Sequence, residues 1–269
     1  MIGCVEMVYD MEKALGFIME NGSVMDTYKV EYLLDLGRDD KIPLEFFSRY
    51  QNKDGGFPLE FKEGKPSSIG TTAMILPWFF HLDVTYAGSY KRCINYLMES
   101  QKPDGFWDED QRIGSMGPPE QLEPGILSTK LFLTGLASNL LLNYDINEYS
   151  AKKGVNYMEN FRRGDGSFEG LPITNWMMFS LYSQRGDDEK ADALMPFLET
   201  DTPEDPKYLV MQIDCIWMAN RENHIAEGIL DRLEKMQQDD GSWKTSDGKR
   251  FYAQATAEII RIMHTWGRE

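Results

Sequence analysis

A short phrase recurs along the chain and constrains its fold more than any other sequence feature. The pattern Gln/Arg-x-x-x-Gly-x-aromatic occurs at residues 51–57, 101–107, 162–168 and 237–243, and a fainter copy places Gly22 and Val24 near the start. A glycine after Asp or Asn supplies the positive φ that ends one helix before the next begins, and the aromatic residue can pack under the turn. The phrase therefore predicts a chain of repeated helix-turn-helix units.

Two kinds of segment alternate around these phrases. Apolar and charged residues alternate at three and four spacing before each phrase, which predicts amphipathic helices, and nearly unbroken apolar segments follow it. The amphipathic segments begin near Val5, Lys41, Ser89, Glu148, Asp187 and Ile225. The apolar segments begin near Asp26, Ser68, Gly125, Ile173, Lys207 and Phe251.

Six amphipathic and six apolar segments predict two concentric rings, with the apolar helices inside. The fold predicted is an all-α (α/α)6 toroid in a single domain over residues 1–269. Strand signals are nearly absent, because no stretch sustains a period of two. A linear solenoid is the structural alternative, although its apolar helices would leave a large exposed concave face.

The charge and the cysteines exclude several classes of partner and location. The 28 Lys and Arg against 44 Asp and Glu give a net charge of −16, which disfavours nucleic acid and anionic membranes. The longest apolar stretches are about half of the ~20 residues that a membrane span needs, so no transmembrane segment is expected. Cys4, Cys93 and Cys215 show no paired spacing, and the start of the chain lacks a signal-peptide pattern, which predicts a cytoplasmic protein.

The intact copies of the phrase, Gln101/Gly105/Trp107 and Gln237/Gly241/Trp243, resemble the QW motif of the squalene-hopene cyclase and protein prenyltransferase β-subunit superfamily. Residues 51–57 and 162–168 resemble degenerate forms of it. The resemblance covers essentially the whole chain. It implies the same toroid and isoprenoid chemistry in a central cavity, either cyclisation begun by protonation or zinc-assisted prenyl transfer to cysteine.

The sequence departs from both catalytic patterns of that superfamily. No apolar segment begins with the Asp-x-Asp-Asp acid motif of the cyclases, and the nearest acidic cluster, at residues 107–111, is predicted to be a solvated loop. Zinc-dependent relatives are expected to carry Asp and Cys two residues apart, whereas Asp214 and Cys215 are adjacent and would point about 100° apart on a helix. We therefore predict no metal site and no cofactor.

Two carboxylates on apolar segments are the catalytic candidates. Asp214 lies in the middle of one such segment, where burial would raise its pKa and allow it to act as a general acid. The structural alternative is an ion pair with a cation such as Arg261 or Lys130. Glu258 is the second candidate, although an ion pair with Arg261 three residues later is the simpler account. Asp26 is expected at a helix start as a capping carboxylate.

Aromatic residues are plentiful on the apolar segments, and some of them would line a cavity suited to an apolar ligand. Trp78, Trp176, Trp217 and Tyr252 are the candidates for substrate contact. Trp107 and Trp243 belong to the recurring phrase and are predicted to be structural.

These observations lead to one functional hypothesis and two alternatives. The hypothesis is a terpene cyclase-like or prenyltransferase-like enzyme that acts on an isoprenoid chain in an aromatic-lined cavity, by acid-initiated cyclisation or a related reaction. The first alternative is a non-catalytic toroid that binds a hydrophobic ligand or a partner protein. The second is carbohydrate processing, which needs paired carboxylates about 5–10 Å apart.

Overall fold

A computed structural model of the chain describes residues 9–221 and 224–268. The α-helix is the main regular structure of these residues. The helices in chain order are α1 Met11–Asn21, α2 Val24–Leu33, α3 Lys41–Tyr50, α4 Ile69–His81, α5 Gly88–Ser100, α6 Gln111–Gly114, α7 Leu127–Asn143, α8 Glu148–Glu159, α9 Ile173–Gln184, α10 Asp188–Asp192, α11 Met195–Thr200, α12 Pro206–Ala219, α13 His224–Lys235 and α14 Tyr252–Thr265. Single 3₁₀ turns occur at Leu59–Phe61, Glu120–Leu122 and Lys249–Phe251.

Each of the twelve segments predicted to be helical contains a helix, so the all-α prediction is confirmed. Residues 5–8, where the first amphipathic segment was expected to begin, lie outside the described residues, and α1 begins at Met11. The fifth amphipathic segment forms two short helices, α10 and α11. Pro196 lies in the first turn of α11, where its missing N–H is tolerated. In the interior of one continuous helix it would remove a hydrogen bond, which separates α10 from α11.

The two kinds of helix differ in burial as their sequences predict. The apolar helix α9 is buried along most of its length, and α4 and α7 bury residues on nearly every side. The amphipathic helices α1 and α3 bury only two residues each, and α5 buries three. Apolar residues spaced three and four positions apart lie on one face of a helix, so such a helix buries one stripe and exposes the rest to solvent.

The contacts group the described residues into two compact units. Unit 1 comprises residues 9–42, 202–214 and 224–268, and unit 2 comprises residues 43–201 and 215–221. Within unit 1, α14 packs against α1 and α2. Within unit 2, α7 packs against α4, α8 and α9. The single-domain organisation stays a prediction.

Unit 2 contains a small hairpin that the sequence did not reveal. Strand β1, Phe57–Pro58, pairs antiparallel with strand β2, Ser67–Ser68, and Phe57 lies opposite Ser68. Two-residue strands are too short to produce a period of two in the sequence.

The recurring phrase forms a bonded junction at three of its four copies. Each Gln side-chain amide donates to the carbonyl of its own turn's glycine and to a carbonyl at the start of another amphipathic helix. The acceptors are Gly55 and Ser89 for Gln51 (2.8 and 2.8 Å), Gly105 and Ser150 for Gln101 (2.8 and 2.9 Å), and Gly241 and Asp10 for Gln237 (3.2 and 2.8 Å). We call these side chains the glutamine clamps. The fourth copy begins with Arg162, whose side chain donates to Gly166 of its own turn (3.3 Å) and, within the described residues, to no other repeat.

The tryptophans of the phrase are structural, as predicted. Trp107 and Trp243 have no exposed surface. Each indole N–H donates to a carbonyl ten residues earlier, at Leu97 (2.7 Å) and Leu233 (2.6 Å). A buried Trp needs such a partner for its only donor, so the turn and the preceding helix are fixed together.

The clamp at Gln237 joins the last repeat to the first. Besides its donated bonds, its Oε1 accepts from the backbone N–H of Asp10 (2.6 Å), 227 positions earlier. Gly241 (φ +85°) packs so closely on the first turn of α1 that a Cβ there would clash with the carbonyl of Lys13. Within unit 1, these contacts hold the last recurring turn against the start of α1.

Candidate active site

Both predicted carboxylates converge on one guanidinium within unit 1. Asp214 of α12 accepts a bidentate pair from Arg261 of α14, with an Nη2 to Oδ2 distance of 2.8 Å and two further contacts at 3.0 Å. Glu258 lies one turn before Arg261 and accepts from its Nε at 3.0 Å. A bidentate fork fixes the plane of the Asp214 carboxylate as well as its position.

A second cation, Lys29 of α2, completes this arrangement, which we call the four-charge cluster. The Lys29 ammonium lies 3.4 Å from Oε1 of Glu258. Lys29 and Arg261 are buried, while the side chains of Glu258 and Asp214 keep 21% and 31% of their surface exposed. Two positive and two negative groups balance one another, which is the condition for burying charges at all.

Burial and the neighbouring charges act on Asp214 and Arg261 in opposite ways. Burial raises the pKa of Asp214 above its ordinary value, Arg261 opposes this rise, and the charge of Glu258 adds to it. Burial disfavours the charge of Arg261, but the two carboxylates outweigh that effect and raise its pKa, so it stays protonated. Asp214 is also the more exposed of the two carboxylates.

The predicted ion pairs of both candidates are present. Asp214 pairs with Arg261, which was one of the two cations expected as its structural partner. Glu258 forms the expected i,i+3 ion pair with Arg261. Asp26 is a capping carboxylate, as predicted, because it closes a capping box with Ser23 at the start of α2. The catalytic roles of Asp214 and Glu258 stay predictions.

The four aromatic candidates fall into two groups. Trp78 and Trp176 are buried within unit 2, and the Trp176 indole N–H donates to Asp201 at 2.8 Å. Trp217 on α12 is 53% exposed, and Tyr252 at the start of α14 is half-buried. Trp217 and Tyr252 thus keep ring surface available to a ligand, while the substrate contacts of all four residues stay predictions.

The prediction that residues 107–111 form a solvated loop is wrong for the central residue, Glu109. Glu109 is buried, and its carboxylate accepts from the Ser68 hydroxyl (2.7 Å) and from the backbone N–H groups of Ile69 (2.8 Å) and Gly70 (2.9 Å). It caps the first turn of α4, where the helix dipole favours a negative charge. Burial raises the pKa of Glu109, against the lowering effect of these three donors.

Sequence reasoning missed Lys29 as a member of the site. A lysine within a segment predicted to be buried was the available signal, because an ammonium group is buried only with a partner. Within the described residues no cluster of three or more His, Cys, Asp or Glu side chains is arranged to hold a metal ion. Cys93 and Cys215 are both buried, and Cys4 lies outside the described residues.

In the part of the chain that the structure describes, every helix is too short or too polar to cross a membrane.

Comparison with known proteins gives a fold and no sequence family. No family model and no curated protein sequence matches the chain. Among solved structures, a protein from Actinoplanes matches with a TM-score of 0.62 at 12% identity, covering 97% of this chain and 98% of that one. The type II terpene cyclase MstE from Scytonema, in its apo form, matches with a TM-score of 0.61 at 12% identity, covering 96% and 97% of the two chains.

A variant of MstE in complex with its substrate, geranylgeranyl dihydroxybenzoate, is also similar, with a TM-score of 0.59 at 11% identity over 94% of this chain and 95% of that one. At such identities the likeness establishes the fold alone. The chain therefore has a terpene cyclase-like fold along nearly its whole length, consistent with an all-α toroid.

Proposed function

We propose that this protein is a terpene cyclase-like enzyme that acts on an isoprenoid chain, with Asp214 as the proton donor. The observation that carries the proposal is the bidentate Asp214–Arg261 pair in a fold shared with a type II terpene cyclase. Asp214 is partly accessible, so a ligand can reach its carboxyl, and Arg261 and Glu258 lie directly behind it. No metal or cofactor is needed for this chemistry.

The two opposing influences on Asp214 suit an acid that protonates an alkene. Burial favours the protonated carboxyl before reaction. The O–H bond of Asp214 breaks as its proton adds to the less substituted carbon of the last double bond, whose π electrons form the new C–H bond and leave a tertiary carbocation. The carboxylate left behind gains the full bidentate interaction with Arg261. Stabilising charge where it develops, with groups already in place, lowers the barrier to the step. After ring closure the cation loses a proton to a base, so that the product is an isomer of the substrate.

Glu258 has a supporting role in this proposal. It shares Arg261 with Asp214 and also contacts Lys29, so its negative charge partly offsets that of the guanidinium. Without it, Arg261 would hold Asp214 in its ionised form more strongly, and less of the protonated acid would be present. Tyr252 lies in unit 1 together with the four-charge cluster, and we propose that its ring stabilises the carbocation.

The experiment is incubation of the purified protein with linear isoprenoid hydrocarbons, alcohols and prenylated aromatic acids in H₂O and in D₂O. Acid-initiated cyclisation yields an isomer of the substrate in H₂O and a product carrying one extra deuterium in D₂O. The Asp214→Asn variant should lose the product, whereas Asp239→Asn, which changes an exposed carboxylate in the turn at residues 237–243, should retain it. Product formation by Asp214→Asn at the wild-type rate would refute the role of Asp214.

One observation favours the first alternative, a non-catalytic toroid that binds a hydrophobic ligand or partner protein. In unit 2 the apolar helix α9 is buried along most of its length, and Trp78 and Trp176 pack inside the unit. A protein of this kind would retain an isoprenoid without converting it. Extraction of the purified protein and mass spectrometry of the extract distinguish an unchanged bound isoprenoid from a cyclised one.

The arrangement disfavours carbohydrate hydrolysis. Both carboxylates of the cluster share Arg261, so neither stands as the independent acid and base that flank a glycosidic bond.

A further inference from the structure

Unit 2 contains an open groove of about 360 Å³ that shares no residue with the four-charge cluster. One wall is the first recurring turn, with Asn52, Lys53 and Asp54. The facing wall is the loop at residues 64–67, and Arg112 of α6 closes one side. The groove is therefore formed by two loops of the hairpin region and by the side chain of Arg112, three residues after Glu109.

The two walls are fixed to each other by side-chain hydrogen bonds. The Asn52 amide donates to the carbonyl of Lys65 and to the hydroxyl of Ser67, at 2.9 Å each. The Ser67 hydroxyl in turn donates to Asp54 at 2.7 Å, and the Asp54 carboxylate also accepts from the N–H of Gly56 at 3.0 Å. The backbones that carry Lys53 and Lys65 are thus held at a set separation before any ligand binds, which reduces the entropy lost on binding.

The groove has a small positive charge in a chain of net charge −16. Lys53, Lys65 and Arg112 line it, and two carboxylates oppose them, Asp54 in the groove and Asp110 paired with Arg112, which leaves one net positive charge. Within the described residues neither Lys53 nor Lys65 has an ion-pair partner. Asp110 holds the Arg112 guanidinium in a bidentate pair at 2.7 and 2.9 Å, which orients it at the groove.

We propose that this groove binds a phosphate-type anion. Two ammonium groups and a guanidinium on different sides match an anion with several oxygens and more than one negative charge. Asp54 accepts from Ser67 and Gly56 at its Oδ1, so these two donors oppose part of its repulsion of the anion. A free phosphate compound and the headgroup of a phospholipid share this chemistry.

The experiment is a titration of the full chain with inorganic pyrophosphate at low salt, followed by calorimetry and by ³¹P NMR. The double variant Lys53→Gln/Lys65→Gln should bind about tenfold more weakly, because two surface charge interactions are lost. The matched control, Lys91→Gln/Lys235→Gln, removes the same charge from exposed positions on α5 and α13 and should change the affinity less than about twofold. Raising the salt concentration should weaken wild-type binding.

Two further arms identify the source of the anion. Vesicles of phosphatidylcholine containing phosphatidic acid are tested for co-sedimentation with the protein, with and without pyrophosphate as competitor. Binding that pyrophosphate displaces indicates a lipid headgroup, and saturable pyrophosphate binding without vesicle binding indicates a free phosphate compound. Absence of saturable binding in both arms, or equal loss in the control variant, overturns the proposal. Asp214→Asn should bind pyrophosphate like the wild type, so this test is independent of the proposed cyclase activity.

Discussion

The glutamine clamp at Gln237 gives the sharpest test of how the repeats hold together. Its side chain makes three hydrogen bonds, two to the backbone of Asp10 and one to Gly241. Each such bond contributes about 0.5–1.5 kcal/mol net, so removing all three costs about 1.5–4.5 kcal/mol. Gln237 is half-buried, and water can replace part of the loss. We therefore expect Gln237→Ala to lower the free energy of unfolding by about 2 kcal/mol.

The fourth copy of the phrase supplies the matched control for this prediction. Arg162 occupies the clamp position but makes one bond, of 3.3 Å, within its own exposed turn. Arg162→Ala should therefore change the stability by no more than about 0.5 kcal/mol. Gln101→Ala, which loses two bonds, should lie between the two variants.

Urea unfolding measures these differences, with far-UV circular dichroism and tryptophan fluorescence as independent probes. Coincident transitions by the two probes justify a two-state analysis. A loss of stability in Arg162→Ala equal to that in Gln237→Ala would refute the reasoning, because the bond between repeats would then contribute nothing.

Three further predictions use the same unfolding assay. Gly241→Ala should lower the free energy of unfolding by about 3 kcal/mol or more, because it adds a clash with the first turn of α1 to the strain of a positive φ. Its control, Gly117→Ala, has a positive φ (+64°) but open space around it, and should lower the free energy of unfolding by about 1–2 kcal/mol. Glu109→Gln should lower the free energy of unfolding by about 1–3 kcal/mol, because an amide NH₂ would face N–H or O–H donors at the start of α4. An unchanged urea midpoint would contradict this account. Arg261→Met should lower the free energy of unfolding by about 3 kcal/mol at pH 7.5 and by less at pH 5. Without Arg261 the pKa of Asp214, already raised by burial, rises further, so the carboxyl is protonated as the pH falls and its unpaired charge is removed. A loss of stability that does not depend on pH would contradict this account.

The periodicity of the sequence predicted twelve helical segments in the correct order, and of the described helices only the four-residue α6 lies outside them. Each prediction depended on local information, namely whether a segment has one polar face or is apolar on nearly every side. The errors occurred where that information is weak. The split between α10 and α11 follows from Pro196, which a pattern of apolar residues alone does not register, and the two-residue strands of the hairpin are too short to show alternation.

The candidate site was predictable only in part, because its contacts are distant in sequence. Arg261 could be paired with Glu258 from their spacing, but its bond to Asp214 spans 47 residues and the contact between Lys29 and Glu258 spans 229. Glu109 shows the same limit. Its acidic neighbours suggested a solvated loop, and the donors that bury it lie about 40 positions earlier, at the start of α4.

The position of the four-charge cluster connects the packing of the repeats to the proposed chemistry. A buried ion pair is weak evidence for stability, because the cost of removing charges from water can exceed their attraction. Leucine or methionine at these four positions would suit an apolar helix equally well for folding alone. Stability alone therefore does not account for two buried cations beside two partly exposed carboxylates, and we propose that Asp214, the most exposed of the four, is the one that meets the ligand.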